Sequence, residues 1–330
     1  MIRRREFITL LGGAAAAWPL AARAQQDGKV ARVGFLGYDL DSGATAALGY
    51  KAFASELQKL GFTEGRNLVL EYRRVDQGIP KAFSAANELA AGRAEVLVAN
   101  GTELALQAAA AVRPAVPIVM MANNYDPIAR GYIAGLSHPG GIITGIYDRQ
   151  LEQSAKQLGL LAEAFPDRRR VGALWDQLSA DQFAAAARAA GPMGLSLRGF
   201  KLENPPYDFD GAFRMMVEDE VKMLLVLSSP LFTAYRTKLA ELAIQHRLPS
   251  MFIFKQYVEA GGLMCYGVDY IAVYRRAASY VAKILRGASP SELPVEQTNY
   301  FEFVLNLKTA KAIGVTLPTS ILLRADEVIE

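Results

Sequence analysis

Short runs of apolar residues alternate with helical patterns along almost the whole chain, and this alternation constrains the fold more than any single motif. Residues 30–36 have the pattern of a buried strand, and residues 44–60 have that of an amphipathic helix ended by Gly61. The same order returns around the apolar runs 96–98 and 118–121. Apolar strands separated by helices pair in parallel through βαβ crossovers, with both sheet faces covered. The sequence therefore predicts an α/β fold.

The alternation pauses near residues 138–141 and then starts again, which predicts a second unit of the same kind. We interpret residues 139–145 as a turn between the units, because this glycine-rich stretch lacks the ending of a phosphate-binding loop. The residues after 262 are too few for a third domain and must add to both units. We predict two lobes with parallel sheets, joined by crossover hinge segments: 28–145 with about 268–295, and 146–266 with about 297–330.

A chain that crosses several times between two lobes leaves a cleft, and open α/β sheets bind ligands beyond the carboxyl ends of their strands. Polar and aromatic residues follow the predicted strands and are our candidates for the lining of this cleft. They are Tyr38, Asp39, Gly101, Thr102, Asn123, Asp126, Trp175, Ser228, Ser229, Phe254, Tyr266 and Asp269.

Two chemical roles are predicted within this set. Gly101 and Thr102, before a predicted helix, can present backbone N–H groups and a hydroxyl to a carboxylate. Asp126 or Asp269 can receive an ammonium group. Each has a structural alternative: Thr102, Ser229 and Asp126 are ordinary helix caps or turn residues, and Trp175 can simply pack.

Catalytic constellations are poorly represented in the sequence. His138 and His246 are the only histidines and do not have a metal-ligand spacing, so no metal and no cofactor is predicted. Cys265 lies in an apolar run typical of a buried, inert thiol. An enzyme is disfavoured, although an acid pair of Asp126 with Asp269 stays open as an alternative.

The first 24 residues have the pattern of an export signal. Positive charge precedes an apolar stretch too short to span a bilayer, and small residues flank a cleavage site between Ala24 and Gln25. Arg4 and Arg5 are typical of a twin-arginine signal. The flanks at Arg3 and Thr9 depart from that pattern, so Sec export and a surface amphipathic helix remain alternatives. The predicted location is the periplasm.

The charge balance bears on the partners of the protein. The whole chain has a formal net charge of +3, and residues 1–24 alone carry +3, so the mature chain is formally neutral. This argues against binding to nucleic acid or to anionic membranes. Later residues contain no apolar stretch long enough for a membrane span, and the single Cys265 excludes an intrachain disulfide. We expect a free, monomeric protein whose mature chain does not insert into the membrane.

Seven segments together resemble a known family from end to end. They are RREFITLLGG (4–13), LGFTEGRNL (60–68), HPGGIITG (138–145), HRLP (246–249), VEAGGLM (258–264), NLKTAK (306–311) and RADEVIE (324–330). With these segments the chain resembles the solute-binding proteins of ATP-binding-cassette (ABC) importers, in the bacterial family that includes binders of aromatic amino acids.

This resemblance implies a type I periplasmic-binding fold, in which ligand capture closes two Rossmann-like lobes and the closed form docks on a permease of the inner membrane. The family's usual Asp-Pro pair is Asp126-Pro127 here. Its Ser-Tyr-Gly strand reads Cys265-Tyr266-Gly267, a small departure. The identity of the solute does not follow from the resemblance.

Two functional hypotheses result. The first is a receptor that delivers a small polar solute with a carboxylate, an amino acid or aromatic acid, to an ABC permease. The second is a periplasmic sensor or co-receptor for a signalling protein. Repressors with similar cores need an N-terminal helix-turn-helix, where this chain has its export-signal pattern.

Overall fold

A computed structural model describes residues 30–38, 44–123 and 125–330 of the protein. The predicted export signal, its cleavage site at Ala24 and Gln25, and the candidate Asp39 lie outside these residues. In the described part, the strands are β1 (Ala31–Gly37), β2 (Leu68–Arg74), β3 (Val96–Gly101), β4 (Ile118–Asn123), β5 (Ile143–Asp148), β6 (Arg170–Trp175), β7 (Ser196–Lys201), β8 (Met223–Val226), β9 (Ser250–Phe252), β10 (Met264–Val268), β11 (Glu296–Gln297), β12 (Phe301–Asn306) and β13 (Glu327–Ile329).

Helices separate most of these strands, as the sequence pattern predicts. In the described residues they are α1 (Ala44–Lys59), α2 (Ile79–Ala91), α3 (Glu103–Ala111), α4 (Gln150–Ala164), α5 (Ala180–Ala190), α6 (Phe209–Glu218), α7 (Pro230–Ala234), α8 (Arg236–Gln245), α9 (Lys255–Glu259), α10 (Tyr270–Leu285), α11 (Leu307–Ile313) and α12 (Thr319–Leu322). Short 3-10 turns cover Gln177–Ser179, Gly191–Met193 and Pro290–Glu292. None of the helices described is both long and apolar enough to cross a membrane.

The described strands form two sheets. The first has six strands in the order β11-β5-β4-β3-β1-β2, and its pairs are parallel. The second has seven strands in the order β13-β12-β10-β9-β8-β6-β7. Only the β10–β12 pair of this sheet is antiparallel. Two mostly parallel sheets with interleaved helices confirm the predicted α/β fold class.

The last part of the chain contributes to both sheets, as expected from its length. Helix α10 packs on the first sheet through an apolar face that includes Val273, Ala277 and Val281. Strand β11 then pairs with β5 in the first sheet, and β12 and β13 complete the second. The chain therefore passes between the sheets after β5, after β10 and after β11, and these passages lie beside one another: Asp269 N–H donates to the carbonyl of Tyr300, and Thr298 N–H to that of Tyr147.

The prediction of a turn over residues 139–145 is wrong for residues 143–145. Residues from Ile143 onward form β5, which lies inside the first sheet between β4 and β11. Gly145 has a φ of 132°, and a Cβ there would lie 2.1 Å from the carbonyl oxygen of Met120. The glycine thus permits close approach to the neighbouring strand in a conformation that other residues rarely adopt.

Candidate functional site

The carboxyl ends of β1 and β3 bring Tyr38 and Thr102 together on the first sheet. The Tyr38 hydroxyl donates a long hydrogen bond, 3.4 Å, to Oγ1 of Thr102. Gly101 has a φ of 89°, and Thr102 occupies the N-cap position of α3 without a side-chain capping bond. The first N–H groups of a helix carry partial positive charge and lack partners within the helix. This edge therefore combines two hydroxyl groups with a helix N-terminus.

The surroundings of Tyr38 include residues of both sheets. Its backbone carbonyl accepts a hydrogen bond from the Tyr72 hydroxyl. Burial raises the pKa of Tyr38, the Thr102 hydrogen bond opposes this, and the negative charges of Asp76 and Asp176 add to the increase. Asp176 follows β6 of the second sheet, so the raised pKa of Tyr38 includes a contribution from the second sheet.

Helix α10 covers the polar ends of β3 and β4 with two tyrosines one turn apart. Nδ2 of Asn100 donates to the Tyr274 hydroxyl at 2.8 Å, and Nδ2 of Asn123 donates to the Tyr270 hydroxyl. The ring of Tyr270 also contacts that of Phe254, which follows β9 of the second sheet, with ring centroids 5.4 Å apart. Tyr270 therefore touches the carboxyl edges of both sheets.

Asp148 ends β5 and lies in register with Asn123 of β4. Its side chain is buried, at 6% exposed, and one carboxylate oxygen accepts a hydrogen bond of 2.7 Å from Nε2 of Gln153. Burial raises the pKa of Asp148 to about 7, and the Gln153 bond only partly offsets this. The negative charge of Asp148 contributes in turn to the raised pKa of Tyr270, which is due mainly to burial.

On the second sheet, Asp176 organises the edge formed by β6 and β8. One oxygen accepts from the backbone N–H groups of Leu178 and Ser179 and from the Ser179 hydroxyl. The other accepts from the Ser229 hydroxyl at 2.5 Å and from the Tyr207 hydroxyl at 3.1 Å. Five donors satisfy this buried carboxylate, and they leave it little capacity for a ligand.

Three residues that the sequence suggests for the cleft lining form hydrogen bonds with other described residues. The Ser228 backbone N–H and carbonyl bond the side-chain amide of Gln182. Asp126 accepts from the N–H groups of Ile128 and Ala129, and Asp269 caps α10 by accepting from Ala272 N–H at 3.0 Å. The arrangement at Asp126 is the turn that was predicted as its structural alternative.

The two aromatic candidates on β6 and β10 pack within the second sheet. Trp175 stacks on Phe183 of α5 at a centroid distance of 4.6 Å, with Lys201 over its ring. Tyr266 stacks on Phe301 of the neighbouring strand, with centroids 5.8 Å apart. These contacts favour a packing role for both side chains.

The residues chosen from the sequence as candidates did not include Asp148, Asp176 or Tyr270, which are members of this edge. Asp176 directly follows the candidate Trp175, and Tyr270 directly follows the candidate Asp269. In each pair the candidate packs or caps a helix, and the next residue lies at the edge. No candidate residue is adjacent to Asp148, because β5, the strand that Asp148 ends, was not predicted from the sequence.

The described arrangement matches a known family of proteins. A family model described as ABC transporter substrate binding protein matches residues 42–329, and the chain therefore belongs to that family. The resemblance noted from the sequence is confirmed.

Among characterised relatives, a tyrosine-binding protein of Clostridioides difficile (strain R20291) is 22% identical over 278 residues, which cover 80% of this chain and 76% of the relative. A solved structure of a conserved domain protein from Vibrio cholerae O1 biovar eltor is 23% identical, with a TM-score of 0.80. An ABC domain from Streptococcus pneumonia in complex with L-Trp is 23% identical, with a TM-score of 0.79. Each alignment covers 91% of this chain and 100% of the solved one, which supports the two-sheet fold.

Proposed function

We propose that this protein is an extracytoplasmic solute receptor that captures a small, carboxylate-bearing solute between the two sheets and delivers it to an ABC permease. One observation carries the proposal. The carboxyl edges of the two sheets meet at Tyr270, which bonds Asn123 at the end of β4 and packs its ring on Phe254 after β9, with ring centroids 5.4 Å apart. Ligands of open α/β sheets bind at such edges.

The carboxylate of the solute would bind at the N-terminus of α3. Thr102 offers a hydroxyl that does not cap its own helix, and the positive φ of Gly101 turns the chain from β3 into this helix. A helix N-terminus favours negative charge by about 0.3–1 kcal/mol at an exposed site, and more where it is partly buried. Tyr38 would complete this subsite through its hydroxyl.

The rest of the solute would lie against aromatic side chains. Phe254 and Tyr270 form one wall, and Tyr38 forms another. We include Asn123, Asp39 and the Ser228–Ser229 edge in the proposed lining, and we leave out Trp175 and Tyr266 because of their packing contacts. The names of two relatives, which bind tyrosine and L-Trp, support an amino acid or aromatic acid as the solute.

Capture would shift the protein from an open to a closed arrangement of two lobes, one built on the six-stranded sheet, which includes β5 and β11, and one built on the seven-stranded sheet. Only a difference in affinity between the two states can drive such a shift, so the solute must contact both edges when they close. Residues 1–24 would direct export, by the twin-arginine or the Sec route, and cleavage would fall between Ala24 and Gln25.

A thermal-shift screen tests the receptor function. The purified protein is heated with each of the twenty common amino acids and with a set of aromatic acids. A solute at a hundred times its Kd should stabilise the folded state by about 2.7 kcal/mol. No stabilisation by any of these solutes contradicts the proposal.

Delivery to a permease is tested separately in cells. Deletion of the cognate permease should abolish uptake of the solute that stabilises the protein. Signalling that depends on the protein, with uptake intact, would favour the sensor hypothesis instead.

A further inference from the structure

We propose that Asp148 receives the ammonium group of the solute, so that the solute is an amino acid and not a simple carboxylic acid. The inference rests on the proposed receptor function and adds to it the charge of the ligand. It assigns to Asp148 the ammonium-binding role that sequence reasoning gave to Asp126 or Asp269.

The register of the first sheet places Asp148 in the same row as the proposed carboxylate subsite. Gly101 pairs with Ala122, and Ala122 pairs with Tyr147. Asn123 and Asp148 pair directly after these residues, and Thr102 follows Gly101 as the N-cap of α3. In-register residues of neighbouring parallel strands point to the same face of a sheet, so Asp148 shares the face on which Asn123 bonds Tyr270.

The spacing of this row suits a zwitterion. Neighbouring strands lie about 4.8 Å apart, so β3 and β5 are separated by roughly 10 Å. The ammonium and carboxylate of an α-amino acid are about 3 Å apart, and a hydrogen bond of about 2.9 Å at each end extends this to roughly 9 Å. The span of one amino acid therefore matches the separation of the strands that carry the proposed carboxylate subsite and Asp148.

Asp148 lacks a counter-charge in the described part of the protein. Gln153 is the single hydrogen-bond donor recorded for its side chain, and it is neutral. The adjacent Arg149 pairs with Glu152 at 2.9 Å, and no described cation lies within 4.0 Å of Asp148. Oε1 of Gln153 is buried without a hydrogen-bond partner among the described residues, so a further N–H donor at this point would satisfy it too.

Burial without a counter-charge is unfavourable for a carboxylate, and this is the reason that the pKa of Asp148 is raised. A ligand ammonium group supplies the missing charge and hydrogen bonds at once. Three other carboxylates near these edges are already engaged: Asp176 accepts from five donors, while Asp126 and Asp269 accept from backbone N–H groups.

The test compares amino acids with their deaminated acids, for example L-tyrosine with 3-(4-hydroxyphenyl)propanoate. Dissociation constants are measured by titration calorimetry at pH 8 for the wild-type protein, Asp148→Asn and the matched control Asp126→Asn. The wild type should bind the amino acid at least tenfold more tightly than the deaminated acid. Asp148→Asn should weaken amino acid binding at least tenfold, leave the deaminated acid within about twofold, and keep a cooperative thermal transition. Asp126→Asn should keep the wild-type preference.

The inference fails, while the receptor function stands, when the wild type binds deaminated acids as tightly as amino acids or when Asp148→Asn keeps the wild-type preference. Failure of the wild type to bind any of the amino acids or acids overturns both proposals. An equal loss in Asp148→Asn for both members of a pair also overturns the inference, because it indicates a structural effect and not recognition of the ammonium group.

Discussion

Replacement of Asp148 by asparagine should stabilise the ligand-free protein, and the gain should grow with pH. The folded-state pKa of Asp148 is raised from 3.8 to about 7 because its carboxyl is buried. Between these values the folded state holds a proton that the unfolded state has lost, so wild-type stability is fully present below pH 4 and falls as pH rises toward 7. Asparagine has no such titration.

The magnitude follows from the shift of the pKa. Each pKa unit corresponds to about 1.4 kcal/mol, and integration from pH 5 to pH 8 gives a relative gain of about 2–3 kcal/mol for Asp148→Asn. Urea unfolding followed by circular dichroism at pH 5, 6, 7 and 8 measures this difference. Asp126→Asn, an exposed change of the same chemistry, should stay within about 0.5 kcal/mol of wild type. A difference between Asp148→Asn and wild type that is constant with pH, or that shrinks as pH rises, refutes the reasoning.

Three further predictions concern other parts of the structure. Thr102→Val should weaken binding of the stabilising solute about three- to tenfold in calorimetry, since one hydrogen bond contributes about 0.5–1.5 kcal/mol; unchanged affinity would remove Thr102 from the site. Gly145→Ala should lower the free energy of unfolding by about 3 kcal/mol, because its Cβ would meet the Met120 carbonyl at 2.1 Å in a conformation that favours glycine. Gly141→Ala should change the free energy of unfolding little, because a Cβ at Gly141 would have no atom within 4 Å. Equal effects of the two glycine changes would count against the placement of β5. Cys265 is fully buried with a raised thiol pKa, so it should react with a thiol reagent only in urea; rapid labelling of the folded protein would contradict its position.

The fold class could be predicted from the sequence because the strands of parallel sheets are buried on both faces. Runs such as those in β3 and β4 are nearly continuous in apolar residues, and the helices between them have an apolar stripe. Strand β5 was missed because Gly145 and the preceding glycines have the composition of a loop. Its glycine is needed for a close contact with Met120, which is a tertiary requirement that local composition does not reveal.

The candidate site was only partly predictable, since strand ends are visible in a sequence but the direction of a side chain at an end is not. Tyr38 and Thr102 were predicted and lie together. Trp175 was predicted too, but it packs on α5. The next residue, Asp176, accepts a hydrogen bond from Ser229 at this edge. Asp148 could not be proposed without β5. Its environment depends on helix α10, which is distant in sequence and covers the same face.

The central claim is that a solute binds between the two sheets and draws them together. Small-angle X-ray scattering of the purified protein, with and without a saturating solute from the thermal-shift screen, measures this most directly. We expect a smaller radius of gyration with the solute and no change with a solute that does not stabilise the protein. Saturated binding that leaves the radius of gyration unchanged would contradict it.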